Sequence, residues 1–243
     1  MKLLIDIGNT ASKFGISSNG EFLYLGRMYN KDISNDSIKE LTKDVKDVED
    51  ILISSVAPKV FVSLSKILMD LYQIVPRTIL IDDTDNFIQI DNKDELGDDL
   101  YADIVAARIL YGPKTAVIDF GTATKILFIN KDNVFSSCAI FLGYEKSKNI
   151  LANSTELLPD VENIKIKPIS DCHNTIDVIN SSAYYSQLFT VKGLIKKYEE
   201  EVGYKLKIVV TGGNSIDFLQ ELGKENYDEF LLLKGLHILI ERN

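Results

Sequence analysis

Asp6 and Asp119 each follow a run of apolar residues (Leu3, Leu4, Ile5 and Ala116, Val117, Ile118), where a carboxylate must find a cation or hydrogen-bond donors to be tolerated. Beyond Asp6, the turn Gly8, Asn9, Thr10 could wrap a phosphate with its backbone N–H groups and hydroxyl, while the carboxylate holds an accompanying Mg²⁺ through water. Lys13 would add a point charge. The same residues also suit an ordinary hairpin, with Gly and Asn taking positive φ and Asp accepting backbone bonds. A second copy at Asp119, Gly121, Thr122 and Thr124 favours the phosphate reading, because facing hairpins would enclose an anion. Leu96, Gly97, Asp98 and Asp99 open a helix. Helix capping and the macrodipole account for one carboxylate there but not for two in succession. One of them facing a cleft could take the proton of a substrate hydroxyl during phosphoryl transfer. Asp103, one turn on, reads as a solvated charge. Thr211, Gly212 and Gly213 end an apolar strand ahead of a helix expected at Ser215, a place where backbone can approach a flat or anionic ligand.

Positioning these groups requires particular elements. IDIGNTASK at 5–13 and IDFGTATK at 118–125 repeat one pattern, with the aspartates 113 residues apart. Each copy lies between apolar runs, so each is read as a β-hairpin, and the spacing as a duplication. The first half continues with a strand at 21–27, a helix at 37–45, a strand at 50–56, an amphipathic helix at 60–73, a short strand at 78–81 and a largely buried helix between Gly97 and Gly112. The second has strands near 116–119, 123–130 and 134–140 and helices near 145–155 and 176–201. A strand at 207–210 and a closing helix at 230–241 follow, and 158–174 is a loop. The expected fold is α/β, two duplicated lobes with mixed sheets flanked by helices, lobe one at 1–112 and lobe two at 113–243.

Composition narrows the function further. The 243 residues carry 27 basic and 36 acidic side chains, a net charge of −9, which disfavours a nucleic-acid partner. With 45% hydrophobic and 26% charged residues, no uninterrupted apolar run long enough for a membrane span and no signal-peptide core, a cytoplasmic protein is expected. Cys138 and Cys172 have no metal or redox spacing, and neither His173 nor His237 makes a catalytic case. The Tyr184, Tyr185 pair reads as core or subunit interface.

Taken together and in order, D-x-G-N-T at Asp6–Thr10, L-G-x-D at Leu96–Asp99, D-F-G-T-A-T at Asp119–Thr124, N-T at Asn174–Thr175 and T-G-G at Thr211–Gly213 resemble the type III pantothenate kinases. That family belongs to the superfamily of acetate and sugar kinases, heat-shock chaperone ATPases and actin. The resemblance implies two ribonuclease H-like lobes with the active site in the cleft between them, a homodimer, and transfer of phosphate from ATP to pantothenate, the first step towards coenzyme A. It implies ATP contacts from Asp6, Ile7, Gly8, Asn9, Thr10, Ala11, Ser12, Lys13 and Thr122, with Mg²⁺ accompanying ATP and met by Asp6 through water. Asp99 becomes the general base. Gly97, Asp98, Asp99, Leu100 and Thr175 flank pantothenate, and Asp119 coordinates a monovalent cation, K⁺ or NH₄⁺.

The chain departs from the family on the acceptor side. Leu100 stands where the family's G-x-D-R has arginine, Ile90 and Lys93 replace the usual aromatic residue and proline, Leu142 replaces the proline of P-G, and Ser182 replaces a downstream glycine. Losing an arginine that stabilises transferred charge costs orders of magnitude in rate, and Lys125 and Lys13 are the candidates to compensate. Two alternatives to pantothenate phosphorylation therefore stand: a weakened or non-catalytic relative with an accessory or regulatory role, and a kinase of the same superfamily with another acceptor.

Overall fold

The computed structural model describes residues 1–81, 86–154 and 165–242, which pack into two compact units. The first unit comprises Met1–Gly112, Asn133–Phe135 and Phe230–Asn243. Its strands are β1 (Lys2–Ile7), β2 (Ala11–Ser18), β3 (Glu21–Tyr29), β4 (Asp50–Ser55) and β5 (Arg77–Thr78), in the order β3-β2-β1-β4-β5. β1 runs antiparallel to β2 and parallel to β4. Alternate residues of these strands face opposite sides of the sheet. Leu3, Ile5, Ile7, Phe14, Ile51 and Ile53 pack with Ile38 of α1 (Asn35–Leu41) and with Leu64 and Leu68 of α2 (Pro58–Tyr72). α3 (Asp98–Leu110) and the C-terminal helix also pack within this unit, both meeting β4.

The second unit comprises Pro113–Asp132 and Ser136–Glu229. β6 (Thr115–Phe120), β7 (Ala123–Ile129), β8 (Phe135–Leu142) and β9 (Lys207–Thr211) form a sheet in the order β8-β7-β6-β9. β6 is antiparallel to β7 and parallel to β9, so the central strand repeats the pairing scheme of β1. Ile118, Phe120, Ile126 and Phe128 pack against Tyr144 of α4 (Tyr144–Asn153) and Tyr184, Leu188 and Val191 of α5 (Thr175–Val202). Tyr184 stacks on Phe218, their ring centroids 4.9 Å apart. The short α6 (Leu219–Leu222) and then α7 (Leu231–Glu241) end the chain.

Several local expectations change. The segment 230–243, which a division at 112/113 assigns to the second lobe, packs with the first unit, because the buried Leu233, Leu236 and Ile240 of α7 meet α3 and β1. Phe135 pairs back into that unit through its N–H to the Phe87 carbonyl at 2.8 Å. The helix expected at Ser215 opens as a 3₁₀ segment, Ser215–Phe218, that runs directly into a short α-helical turn at Leu219–Leu222. Asp103 is buried, 1% exposed, because every residue of α3 from Leu100 to Ala107 is buried and the helix presents no solvated face over that stretch. The strand expected at 78–81 is reduced to Arg77–Thr78. Part of the loop expected at 158–174 and the end of the helix expected at 145–155 lie outside the described residues. Among the described residues, no helix is long and apolar enough to cross a membrane.

Candidate functional site

In the first unit, the β1–β2 hairpin places Asp6 directly opposite Lys13. The turn is closed by the Gly8 N–H donating to the Ala11 carbonyl at 3.1 Å, and Asn9 and Thr10 at its tip are exposed. Neither Gly8 nor Asn9 has positive φ, so a need for positive φ does not account for these residue types. The turn is clamped by a residue that sequence reasoning missed. Asn30, following β3, donates its amide to the Gly8 carbonyl at 2.8 Å and accepts the Ser12 hydroxyl at 2.8 Å, while its backbone N–H reaches the Thr10 carbonyl at 3.0 Å. No string marks Asn30. Its only signal is an Asn directly after a strand that must lie beside β2.

The carboxyl ends of β1 and β4 bring two of the sequence motifs together. Ile7 pairs with Ser55, and the Ile7 carbonyl accepts the Val56 N–H at 3.0 Å. The Ser55 N–H in turn serves the Asp98 carboxylate. Ser55 therefore ties the start of α3 to the strand that leads into the Gly8 turn. Burial of Asp98, followed by the charge of Asp99, pushes the Asp98 carboxyl up to about 6, and the Ser55 bond offsets this in part. The Asp99 carboxylate folds back over the helix start, its Oδ1 accepting the Leu100 N–H at 2.9 Å. A Cβ on Gly97 would lie 2.8 Å from that same oxygen, so the glycine leaves the space that the carboxylate fills. Leu100, expected beside the substrate, has its side chain buried at 9% exposure.

In the second unit, the β6–β7 hairpin places Asp119 opposite Lys125 and Phe120 opposite Thr124. The Lys125 ammonium lies 2.9 Å from Asp119 Oδ2, with both side chains about 15% exposed. Asp119, expected to hold a monovalent cation, thus carries a lysine. Thr122 is exposed at the tip. Two glycines enclose this turn from behind. Gly212 has φ +96°, and a Cβ there would overlap Asp119 Oδ1 and the Phe120 nitrogen. Gly143 donates to the Thr122 carbonyl at 3.1 Å, and a Cβ on it would overlap the Gly121 and Thr122 carbonyls. The T-G-G motif therefore belongs to the Asp119 turn, as the pairing Asp119↔Thr211 requires. Asn214, also missed, donates its N–H to the Phe120 carbonyl at 2.9 Å.

Asn174 and Thr175 lie at the start of α5 in the second unit. Asn174 is the N-cap of α5, accepting the Asp177 N–H at 2.9 Å and donating to Asp177 Oδ2 at 2.7 Å, and Thr175 is exposed. Asp177 is buried and paired with Lys167 at 2.6 Å. His237 is a structural histidine, its Nδ1 2.9 Å from the Ser17 hydroxyl. Among the described residues no cluster of three or more His, Cys, Asp or Glu side chains could hold a metal ion.

The chain that carries these motifs is similar to known proteins. The sequence profile described as type III pantothenate kinase fits residues 2–197. The chain belongs to that family. Similar solved structures share the fold. A Campylobacter jejuni protein described as a Baf family transcriptional activator is 18% identical, with a TM-score of 0.58 over 99% of this chain and 98% of its own. A Sinorhizobium meliloti protein described as a 2-dehydro-3-deoxygalactonokinase is 10% identical, with a TM-score of 0.59 over 100% and 96%. The activator of 2-hydroxyisocaproyl-CoA dehydratase from Clostridium difficile, solved with bound ADPNP, is 14% identical, with a TM-score of 0.56 over 99% and 94%. At these identities the likeness concerns the fold. Both D-x-G hairpins, at Asp6 and Asp119, lie within the residues matched to the family.

Proposed function

We propose that the protein transfers the γ-phosphoryl group of ATP to the hydroxyl of pantothenate, giving 4′-phosphopantothenate and ADP. The observation that carries this reading is the Asp98–Asp99 pair at the start of α3, tied through Ser55 to the end of the β1 hairpin in a chain of this family. Asp99 takes the hydroxyl proton as the oxygen attacks phosphorus. Asp98, held by the Ser55 N–H, fixes the helix start, and Gly97 leaves room for the Asp99 carboxylate. ATP is taken to contact Asp6, Gly8, Asn9, Thr10, Ala11 and Lys13, with Thr122 also assigned to it, the exposed Thr10 and Thr122 hydroxyls suiting phosphate oxygens, whereas Ile7 and Ser12, expected on ATP as well, are fully buried as a strand pair behind the turn. The relative that carries ADPNP lends support to a nucleotide ligand. Mg²⁺ would accompany ATP and neutralise phosphate charge, with Asp6 the residue to meet it through water. Gly97, Asp98 and Thr175 border pantothenate, whereas Leu100, expected there too, is buried and gives its N–H to Asp99. Most of the rate comes from positioning and charge neutralisation. A cytoplasmic homodimer completes the reading.

A second reading, nucleotide binding without turnover, draws on one observation: the buried Leu100 occupies the position of the family's arginine. Coupled ADP release with purified protein, ATP, Mg²⁺ and pantothenate separates the two. Pantothenate-dependent turnover is expected, and Asp99→Asn is expected to abolish it while leaving ATP binding and melting temperature unchanged. Near-normal turnover in Asp99→Asn removes the base assignment, and ATP binding without any turnover in the unaltered protein supports the second reading.

A further inference from the structure

A monovalent cation on Asp119 does not fit the residues present. Oδ2 of this carboxylate carries the Lys125 ammonium at 2.9 Å, and Oδ1 lies against Gly212, where no Cβ could stand. Both charged side chains are about 15% exposed, so the pair is largely shielded from water and salt. The hairpin register fixes the arrangement: Asp119 and Lys125 are direct cross-strand partners, which puts both side chains on one face of the sheet. An ammonium carries the same single positive charge as K⁺, is tethered by four methylenes, and loses no translational freedom when the site forms. A K⁺ ion would have to displace it or sit beside a like charge.

We infer that Lys125 is a built-in replacement for the monovalent cation at Asp119, so that this chain neutralises its second hairpin without K⁺ or NH₄⁺. The part of this inference that concerns nucleotide rests on the kinase reading above, whereas the part that concerns Asp119 does not. Removing the lysine leaves a shielded carboxylate without its counter-charge, which is costly, and recreates a place that a small cation can fill.

The test compares full-length protein in KCl, NH₄Cl and choline chloride at equal ionic strength, reading melting temperature and the affinity for a non-hydrolysable ATP analogue. The unaltered protein is expected to give the same values in all three salts. Lys125→Thr is expected to melt lower in choline and to recover by roughly 3 °C or more in KCl, since a ligand of the folded state raises its midpoint. Its analogue affinity is expected to tighten about tenfold in the same change of salt. Lys125→Thr combined with Asp119→Asn is expected to ignore K⁺. A K⁺ response of that size in the unaltered protein overturns the inference, as does indifference of Lys125→Thr to K⁺. Should Lys125→Thr fail to fold in choline, folding restored by KCl is the expected response and continued failure in KCl overturns the inference. Melting requires no substrate, so these responses without pantothenate turnover would remove the kinase reading and leave the role of Lys125 standing.

Discussion

The two D-x-G hairpins each set an aspartate opposite a lysine, across turns that differ by one residue, and are held in different ways. In the first unit the turn is clamped by side chains: Asn30 bonds the Gly8 carbonyl and the Ser12 hydroxyl, and Asp98 takes the Ser55 N–H. In the second unit it is held by backbone at close quarters, with Gly212 and Gly143 pressed against residues 119–122, and its aspartate is neutralised by Lys125. The comparison teaches that one short motif can be stabilised by hydrogen bonds that tolerate adjustment or by contacts that do not. The second hairpin should therefore be the more brittle of the two.

Gly212→Ala should show the largest effect. Its φ of +96° and the overlap of any Cβ with Asp119 and Phe120 make the substitution doubly unfavourable, costing about 3 kcal/mol or more and read as a loss of folded protein in urea melts. Gly8→Ala in the first hairpin places a Cβ 3.0 Å from the Ala11 carbonyl at ordinary φ, and should cost only about 1 kcal/mol. Equal costs would break the distinction between the two turns. Asn30→Ala comes next, at about 2 kcal/mol, because it leaves the Ser12 hydroxyl and the Gly8 carbonyl unserved. It should also weaken binding of an ATP analogue, a readout that a substitution remote from the turn would not move.

Gly97→Ala should scarcely change stability, since the Asp99 carboxylate can swing away from the new Cβ, but that movement displaces the base and should lower turnover about tenfold. The smallest effect is electrostatic. The Asp98 carboxyl lies at about 6, above its usual 3.8, so the folded state holds the proton more tightly than the unfolded chain. The associated stability is full below about pH 4 and is lost as pH rises through about 6. Asp98→Asn should gain about 1 kcal/mol over the unaltered protein at pH 7.5, the shift being discounted because Asp98 is only half-buried, and nothing at pH 3.5. Thermal melts at the two pH values check the sign.

These differences bear on what could be read from sequence. The repeated I-D-x-G strings, with their apolar flanks, identified both central strands, and the 3.6-residue spacing of Ala102, Val105, Ala106 and Ile109 located α3. Such signals are local. The clamp by Asn30 was not legible, because it depends on β3 folding back beside β2, and neither was the crowding of Gly212 onto Asp119, which depends on β9 joining β6 from far along the chain. Periodicity likewise could not indicate that α7 packs against α3, or that Asp103 is buried on a helix without a polar face there. Lys125 was visible only as a nearby positive charge, and its pairing with Asp119 follows from register.

The central claim is that this member of the family, with leucine in place of arginine beside Asp99, still phosphorylates pantothenate. Steady-state ADP release by the purified protein, with saturating ATP, Mg²⁺ and pantothenate and a pantothenate-free control, tests it most directly. The account predicts turnover that rises and saturates with pantothenate and disappears in Asp99→Asn. A rate at saturating pantothenate no greater than the pantothenate-free control would contradict it.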